Sequence, residues 1–337
     1  MKILLGVDGQ RQTKDSPYSC SLIERLRFPA AEIKVLSVLT PPAFGDWGID
    51  IVLTSDSFEA LEEAKFARAR VLQANAVADM RCSEGAGDHG RDTITREIQR
   101  SRSIPGAILE CADRWNAGLI AVDGPHRGGL GPFLTGSVAR SLVIESHRHS
   151  LLLTKAPREN QHDDEAEPAS ETAETAASPP NRKPLEDTAV SVRAIFATDH
   201  SPYANRCVDT LIHMAPRGIS HITILTAYPE KKLMRIGQGL PDLTAAPETA
   251  VHQWLTEQNY EVVRRLSPLL EAAGATCASC VSRAPVNEAI AYAMEENDAE
   301  LLILGARGHG FIDRVTLGSV SFHQAMATPH SLLVLRP

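Results

Sequence analysis

The sequence predicts an α/β protein of two tandem, doubly wound domains, each built on a five-stranded parallel sheet. Three observations predict it. Short apolar runs alternate with helix-length segments along the chain. The runs are apolar throughout instead of alternating with polar residues, as strands covered on both faces require. The order of these landmarks over residues 1–156 then recurs over 191–337.

Each half opens on an apolar strand that ends in aspartate, KILLGVD at 2–8 and RAIFATD at 193–199. A Ser-Pro-Tyr follows in both, at 16–18 and 201–203, and leads into a helical segment. The second strands are IKVLSVL at 33–39 and HITILTAY at 221–228. Long helical segments come next, over 57–78 with Leu61, Phe66 and Val71 as apolar positions, and over 249–272. The turn-rich GAGDHGRDT at 85–93 has no counterpart in the second half, which places an insertion there. Ile104-Pro105 and Ala284-Pro285 start a third helix in each half, because proline suits a first helical turn. GLIAVD at 118–123 and ELLILG at 300–305 are strands, and each runs into a glycine-rich loop. Gly136-Ser137 and Gly318-Ser319 then begin the last helices, and SLLLT at 150–154 and SLLVL at 331–335 close the two halves.

Residues 157–190 are rich in Glu, Asp, Pro, Ala, Ser and Thr and carry almost no large apolar side chain. Such a stretch cannot bury enough surface to offset its ordering entropy, so it reads as a flexible acidic linker. Its acidic run, His162–Glu167, reads as solvated tether.

A length of 337 residues with 43% hydrophobic and 23% charged residues suits two folded domains. The net charge of -8 offers no broad basic surface, which argues against nucleic acid as a partner. The start, MKILLGVDGQ, is too short an apolar run for a signal peptide, and no stretch has the length needed to span a bilayer. A cytoplasmic protein without membrane contact is expected. Six cysteines in so long a chain read as reduced thiols. Cys277 and Cys280 form a C-x-x-C, but ATCASCVSR reads as a strand, where positions three apart point to opposite faces.

The chemistry-bearing motif lies in the second half. Gly305, Gly308 and Gly318-Ser319 form G-x2-G-x9-G-S, directly after a strand and ending at a helix start. Glycine at a strand end lets backbone approach an anion, and the N–H groups of Ser319 and Val320 open a helix whose dipole favours negative charge. Such loops sit at the carboxyl ends of parallel strands, where Asp199 and Ala227 also arrive.

On these residues the chain resembles the universal stress protein family in its ATP-binding branch, across both halves and excluding the tether. The resemblance implies Rossmann-like, adenine nucleotide α-hydrolase-like domains and ATP as ligand, alone or with Mg2+. Carried over position by position, Ala197, Thr198 and Asp199 line the nucleoside and the Ala227 backbone meets adenine. Leu304 and Gly305 border the ribose and phosphates, while Gly308, Gly318, Ser319, Val320 and Ser321 hold the phosphate chain. Arg307 and His309 flank the loop and add charge.

The first half carries an altered copy. Aligned on Gly136-Ser137, it has Asp123 and His126 where the second half has Gly305 and Gly308, and Ala139 in place of Ser321. An aspartate at that strand end opposes a triphosphate. The first domain therefore reads as a degenerate site, although Gly124, Gly128, Gly129 and Gly131 leave a shifted cradle open.

Other candidates have plainer readings. His147 and His149, around Arg148, read as a cationic helix end, with a metal pair as the alternative. Asp8 and Asp199 have no partner at hydrolytic spacing, and no catalytic residue is assigned. Trp47 and Trp254 either fill core gaps or cap a ligand. In the resembling family two last strands meet antiparallel to make a dimer, which here implies an intramolecular pseudo-dimer, with pairing of whole chains still open. The expected function is a regulatory ATP-binding stress protein acting on an unidentified partner. The alternatives are a slow ATPase or a protein that phosphorylates itself at Ser319 or Ser321, and a nucleotide-free interaction module.

Overall fold

The computed structural model describes residues 1–7, 17–41, 55–82, 93–124, 137–155, 191–229, 248–307 and 318–337. Asp8, Trp47, most of the 85–93 insertion, His126, the tether, Gly308 and His309 lie outside the described residues. The N-terminal half contains β1 (Lys2–Gly6), α1 (Tyr18–Leu26), β2 (Glu32–Leu39), α2 (Ser55–Cys82), β3 (Thr93–Arg100), α3 (Ile104–Trp115), β4 (Leu119–Asp123), α4 (Ser137–Glu145) and β5 (Ser150–Thr154). The C-terminal half repeats the order as β6 (Val192–Ala197), α5 (Pro202–Met214), β7 (Ile219–Ala227), α6 (Glu248–Ala273), β8 (Thr276–Ser282), α7 (Val286–Glu296), β9 (Leu301–Gly305), α8 (Ser319–Ala327) and β10 (Ser331–Leu335).

Local sequence explains where several helices start and stop. Ser103 caps α3 by accepting from the Gly106 N–H at 3.2 Å, with Pro105 in the first turn, and Asn116 ends the helix in the left-handed region. Ser201 does the same for α5 through the Ala204 N–H at 3.0 Å. The expected first-turn role of Pro285 is corrected: it is the extended residue before α7, at ψ 140°, and the helix starts at Val286.

All ten strands join one sheet, in the order β3-β2-β1-β4-β5-β10-β9-β6-β7-β8. Within each half the pairs are parallel. Alternate strand residues feed two separate cores. Ile3, Leu5, Leu333 and Leu335 face α1, α2, α5 and α6, while Leu4, Leu332 and Val334 face α3, α4, α7 and α8. Cys277 and Cys280 divide between the same two faces, as the strand reading of their segment requires. Equivalent buried amides tie the outer strands together. Gln73 of α2 donates to the carbonyls of Val35 and Glu97, and Asn259 of α6 donates to those of Ile224 and Cys280.

The halves meet where β5 pairs antiparallel with β10. A local two-fold relates the bonds at the two ends of that pair. The Lys155 N–H donates to Ser331 Oγ and the Arg336 N–H to Ser150 Oγ, each at 3.2 Å. The last helices, α4 and α8, pack against each other across the same seam. Two apolar strand edges are thereby covered within a single chain. Among the described residues no helix is long and apolar enough to cross a membrane.

Candidate functional site

In the C-terminal half β6 and β9 are neighbours, and the helices that follow them, α5 and α8, pack on opposite faces of the sheet. The carboxyl ends of strands whose connections diverge in this way are the usual ligand position in such sheets. Ala197 and Leu304 are register partners at this edge. Ala227 ends the adjoining β7, and the Thr198 N–H donates to Leu225 O at 2.9 Å. Residues a hundred positions apart thus reach one strand edge.

The loop after β9 is closed at its base. The Gly318 N–H donates to Ala306 O at 2.8 Å, and the Ser321 hydroxyl donates to Gly305 O at 2.6 Å. These bonds hold the first turn of α8 against the end of β9. Gly318 caps α8 without a side chain, Ser319 is exposed, and Ser321 is buried with its hydroxyl engaged as a brace. Gly305 has no room for a side chain: a Cβ there would stand 2.9 Å from Cys207 Sγ and 3.2 Å from the Tyr203 ring. The guanidinium groups of Arg307 and Arg206 lie 5.8 and 5.6 Å from the centroid of that ring. Burial pushes both the Tyr203 phenol and the Cys207 thiol up to about 12, so both are neutral near pH 7.

Asp199 is exposed at the turn into α5, where its Oδ1 accepts from the Ser201 N–H at 3.1 Å. Between them stands His200, which sequence reasoning missed. It has φ 56°, and its Nε2 lies 2.9 Å from Thr226 Oγ1. A histidine directly before a capping Ser-Pro was the available signal, since His enters the left-handed region more readily than most residues.

The N-terminal half differs at the matching strand end. Asp123 Oδ1 accepts from the Ser19 N–H at 2.8 Å and from the Thr154 hydroxyl at 2.7 Å. Pro17, the residue before α1, supplies no side-chain cap, so the Asp123 carboxylate reaches the helix start from β4. An internal anion stands where the other half has glycine.

The placement of His149 at a helix end is corrected, since α4 ends at Glu145. The side chain is buried, with Nδ1 2.7 Å from Ala117 O and Nε2 3.0 Å from Asp113 Oδ1, so it ties the start of β5 to the end of α3. Among the described residues no group of three or more His, Cys, Asp or Glu is arranged to hold a metal. Trp254 is half-buried and packs with Tyr228, Val251 and Leu255.

Fold and loop together define a Rossmann-type α/β protein whose candidate site lies at the β6–β9 switch point. Residues 1–155 and 192–336 both match the universal stress protein family, and the chain belongs to that family. A universal stress protein from Archaeoglobus fulgidus DSM 4304 is similar over 99% of this chain and 98% of its own, at 15% identity and TM-score 0.54. A candidate universal stress protein from Pseudomonas aeruginosa UCBPP-PA14 is similar over 100% of this chain and 93% of its own, at 11% identity and TM-score 0.54. A universal stress protein in complex with cAMP covers 43% of this chain and 97% of its own, at 24% identity and TM-score 0.30. At such identities the likeness is one of fold. No curated protein matches the chain.

Proposed function

We propose that the chain is a regulatory nucleotide-binding protein whose C-terminal domain holds ATP. The observation that carries this reading is the closed loop base at the switch point, where Gly318 and Ser321 bond back to Ala306 and Gly305. That closure sets a helix start, whose first N–H groups have no intrahelical partner, beside a strand end where a Cβ would crowd Cys207 and Tyr203. The nucleoside would lie along Ala197, Thr198 and Asp199, with adenine against the Ala227 backbone. The ribose and phosphates would pass Leu304 and Gly305 toward Gly308, Gly318, Ser319 and Val320, flanked by Arg307 and His309. Ser321 would act through Gly305, which its hydroxyl holds. Any Mg2+ would accompany the triphosphate.

The N-terminal domain is the structural counterpart in this reading, because Asp123 fills the matching position with a carboxylate. Binding rather than turnover is the output, through the seam that joins the two halves. Mass spectrometry of ligands retained by the native protein, followed by melting curves with ATP, ADP and cAMP, tests the proposal. Retained adenine nucleotide and a melting temperature raised by ATP are expected. Absence of both sinks it. Phosphate release that disappears in Gly318→Ala would move the protein among the enzymes.

A further inference from the structure

A cavity of about 620 Å³ opens at the outer edge of the C-terminal domain, where the end of β8 lies between the start of α6 and the body of α7. None of the described glycine-loop residues lines it. Val281, Ala289 and Tyr292 give it an apolar, partly aromatic wall. Thr249, His252, Ser282 and Arg283 give it a polar one, and no carboxylate is among the described lining residues.

A buried phenol fixes the polar wall. Tyr228 is 2% exposed and packs with Val251, Leu255 and Trp254. Its hydroxyl accepts from Arg283 Nε at 3.2 Å and lies 3.1 Å from His252 Nδ1. The phenol oxygen thus joins the guanidinium and the imidazole on one wall. The Arg283 guanidinium, the His252 ring, the hydroxyls of Thr249 and Ser282 and the amino end of α6 suit negative charge at one mouth. The opposite wall favours a flat hydrocarbon body, and the volume suits a small molecule.

We propose that this cavity binds a small organic anion with an aromatic body, of the aryl phosphate or aryl carboxylate class, independently of the glycine loop. Calorimetric titration of phenyl phosphate and benzoate into the full-length protein tests it, with benzyl alcohol as the neutral comparator. Saturable binding of the anions is expected, without comparable binding of the alcohol. Arg283→Gln removes a charge-assisted donor and should weaken the anions about tenfold or more. Gln253→Trp should block the cavity from an exposed position on α6. Melting curves establish that both variants fold, and His252→Gln, also at an exposed position, replaces either one that does not. ATP binding should be unchanged in all of them. The proposal is overturned if the wild type takes up neither anion at millimolar concentration, if benzyl alcohol binds equally well, or if Arg283→Gln binds like the wild type. It is equally overturned if ATP displaces the anions and Gly318→Asp abolishes their binding, since they would then occupy the glycine loop.

Discussion

Replacing Gly305 with aspartate gives the C-terminal domain the residue that the N-terminal domain carries at Asp123. Two effects separate. A Cβ at 305 would press on Cys207 Sγ at 2.9 Å and on Tyr203 at 3.2 Å. Both neighbours belong to α5 and Cys207 is fully buried, so these side chains must shift within packed surroundings, at a cost of about 1–3 kcal/mol in stability. The carboxylate adds repulsion, about 4 kcal/mol against a phosphate charge at 4 Å and an effective dielectric near 20, part of which water at the strand edge screens. A fall in ATP affinity of about a hundredfold follows. Gly305→Ala carries the steric effect alone and should lose stability with a much smaller change in affinity. Calorimetry on the full-length variants reads the affinities, and urea unfolding reads the stabilities. Adding Cys207→Ala removes the sulfur that a Cβ meets, so the double variant should exceed additivity by about 0.5 kcal/mol or more. A wild type that binds ATP, together with a Gly305→Asp variant that binds it equally well, would show that the phosphates do not pass β9.

Asp123→Gly takes away the acceptor for Ser19 N–H and the Thr154 hydroxyl, and should cost about 1–2 kcal/mol in urea unfolding. No loss would mean that α1 is capped by other means. Asn259→Ala strips donors from the carbonyls of Ile224 and Cys280 and an acceptor from Thr226, at about 2–4 kcal/mol, and equal stability would refute the network. Burial raises the pKa of Glu97, but hydrogen bonds from Gln99 and Lys34 and the charges of Lys34 and Arg114 outweigh it and hold the carboxyl below its ordinary value. A depressed folded pKa contributes stability that is present above the usual carboxylate range and lost as pH falls through the folded value. Glu97→Gln should therefore be less stable than the wild type at pH 7, with the gap closing in acid. An equal gap at pH 3 would refute the linkage.

The succession of strands and helices was legible because its causes are local, and the seam because the family resemblance implied it. SLLLT and SLLVL declare buried strands by composition alone, and a repeated edge implies its own partner. Gly305 and Gly318 were legible for a similar reason, since a backbone that must come close permits few residues. The contacts of Asp123 were not legible. Its aspartate is visible at a strand end, but the amide it caps lies 104 residues earlier. His149 misled in the same way. Next to Arg148 it reads as part of a charged helix end, whereas its partners Ala117 and Asp113 are 32 and 36 residues away. The Tyr228–His252–Arg283 chain spans three elements and has no signature in sequence spacing.

A duplicated domain starts with two equal sites, and the structure indicates why its seam and its strand ends have diverged differently. At the seam each half is the other's partner: Ser150 accepts from Arg336 and Ser331 from Lys155, so a change in one half breaks a bond made by the other. Symmetry is enforced there by contact. No such coupling links position 123 to position 305, because each lies at the carboxyl end of its own inner strand and answers to its own helix. In the N-terminal half, α1 follows a proline that offers no cap, and the Asp123 carboxylate meets that need. In the C-terminal half Ser201 already caps α5, which removes the demand for a carboxylate, and the approach of Cys207 and Tyr203 then leaves glycine as the residue that fits. Helix capping thus differs between the two strand ends: a carboxylate from β4 reaches the start of α1, whereas α5 is capped by its own Ser201 and the end of β9 carries glycine.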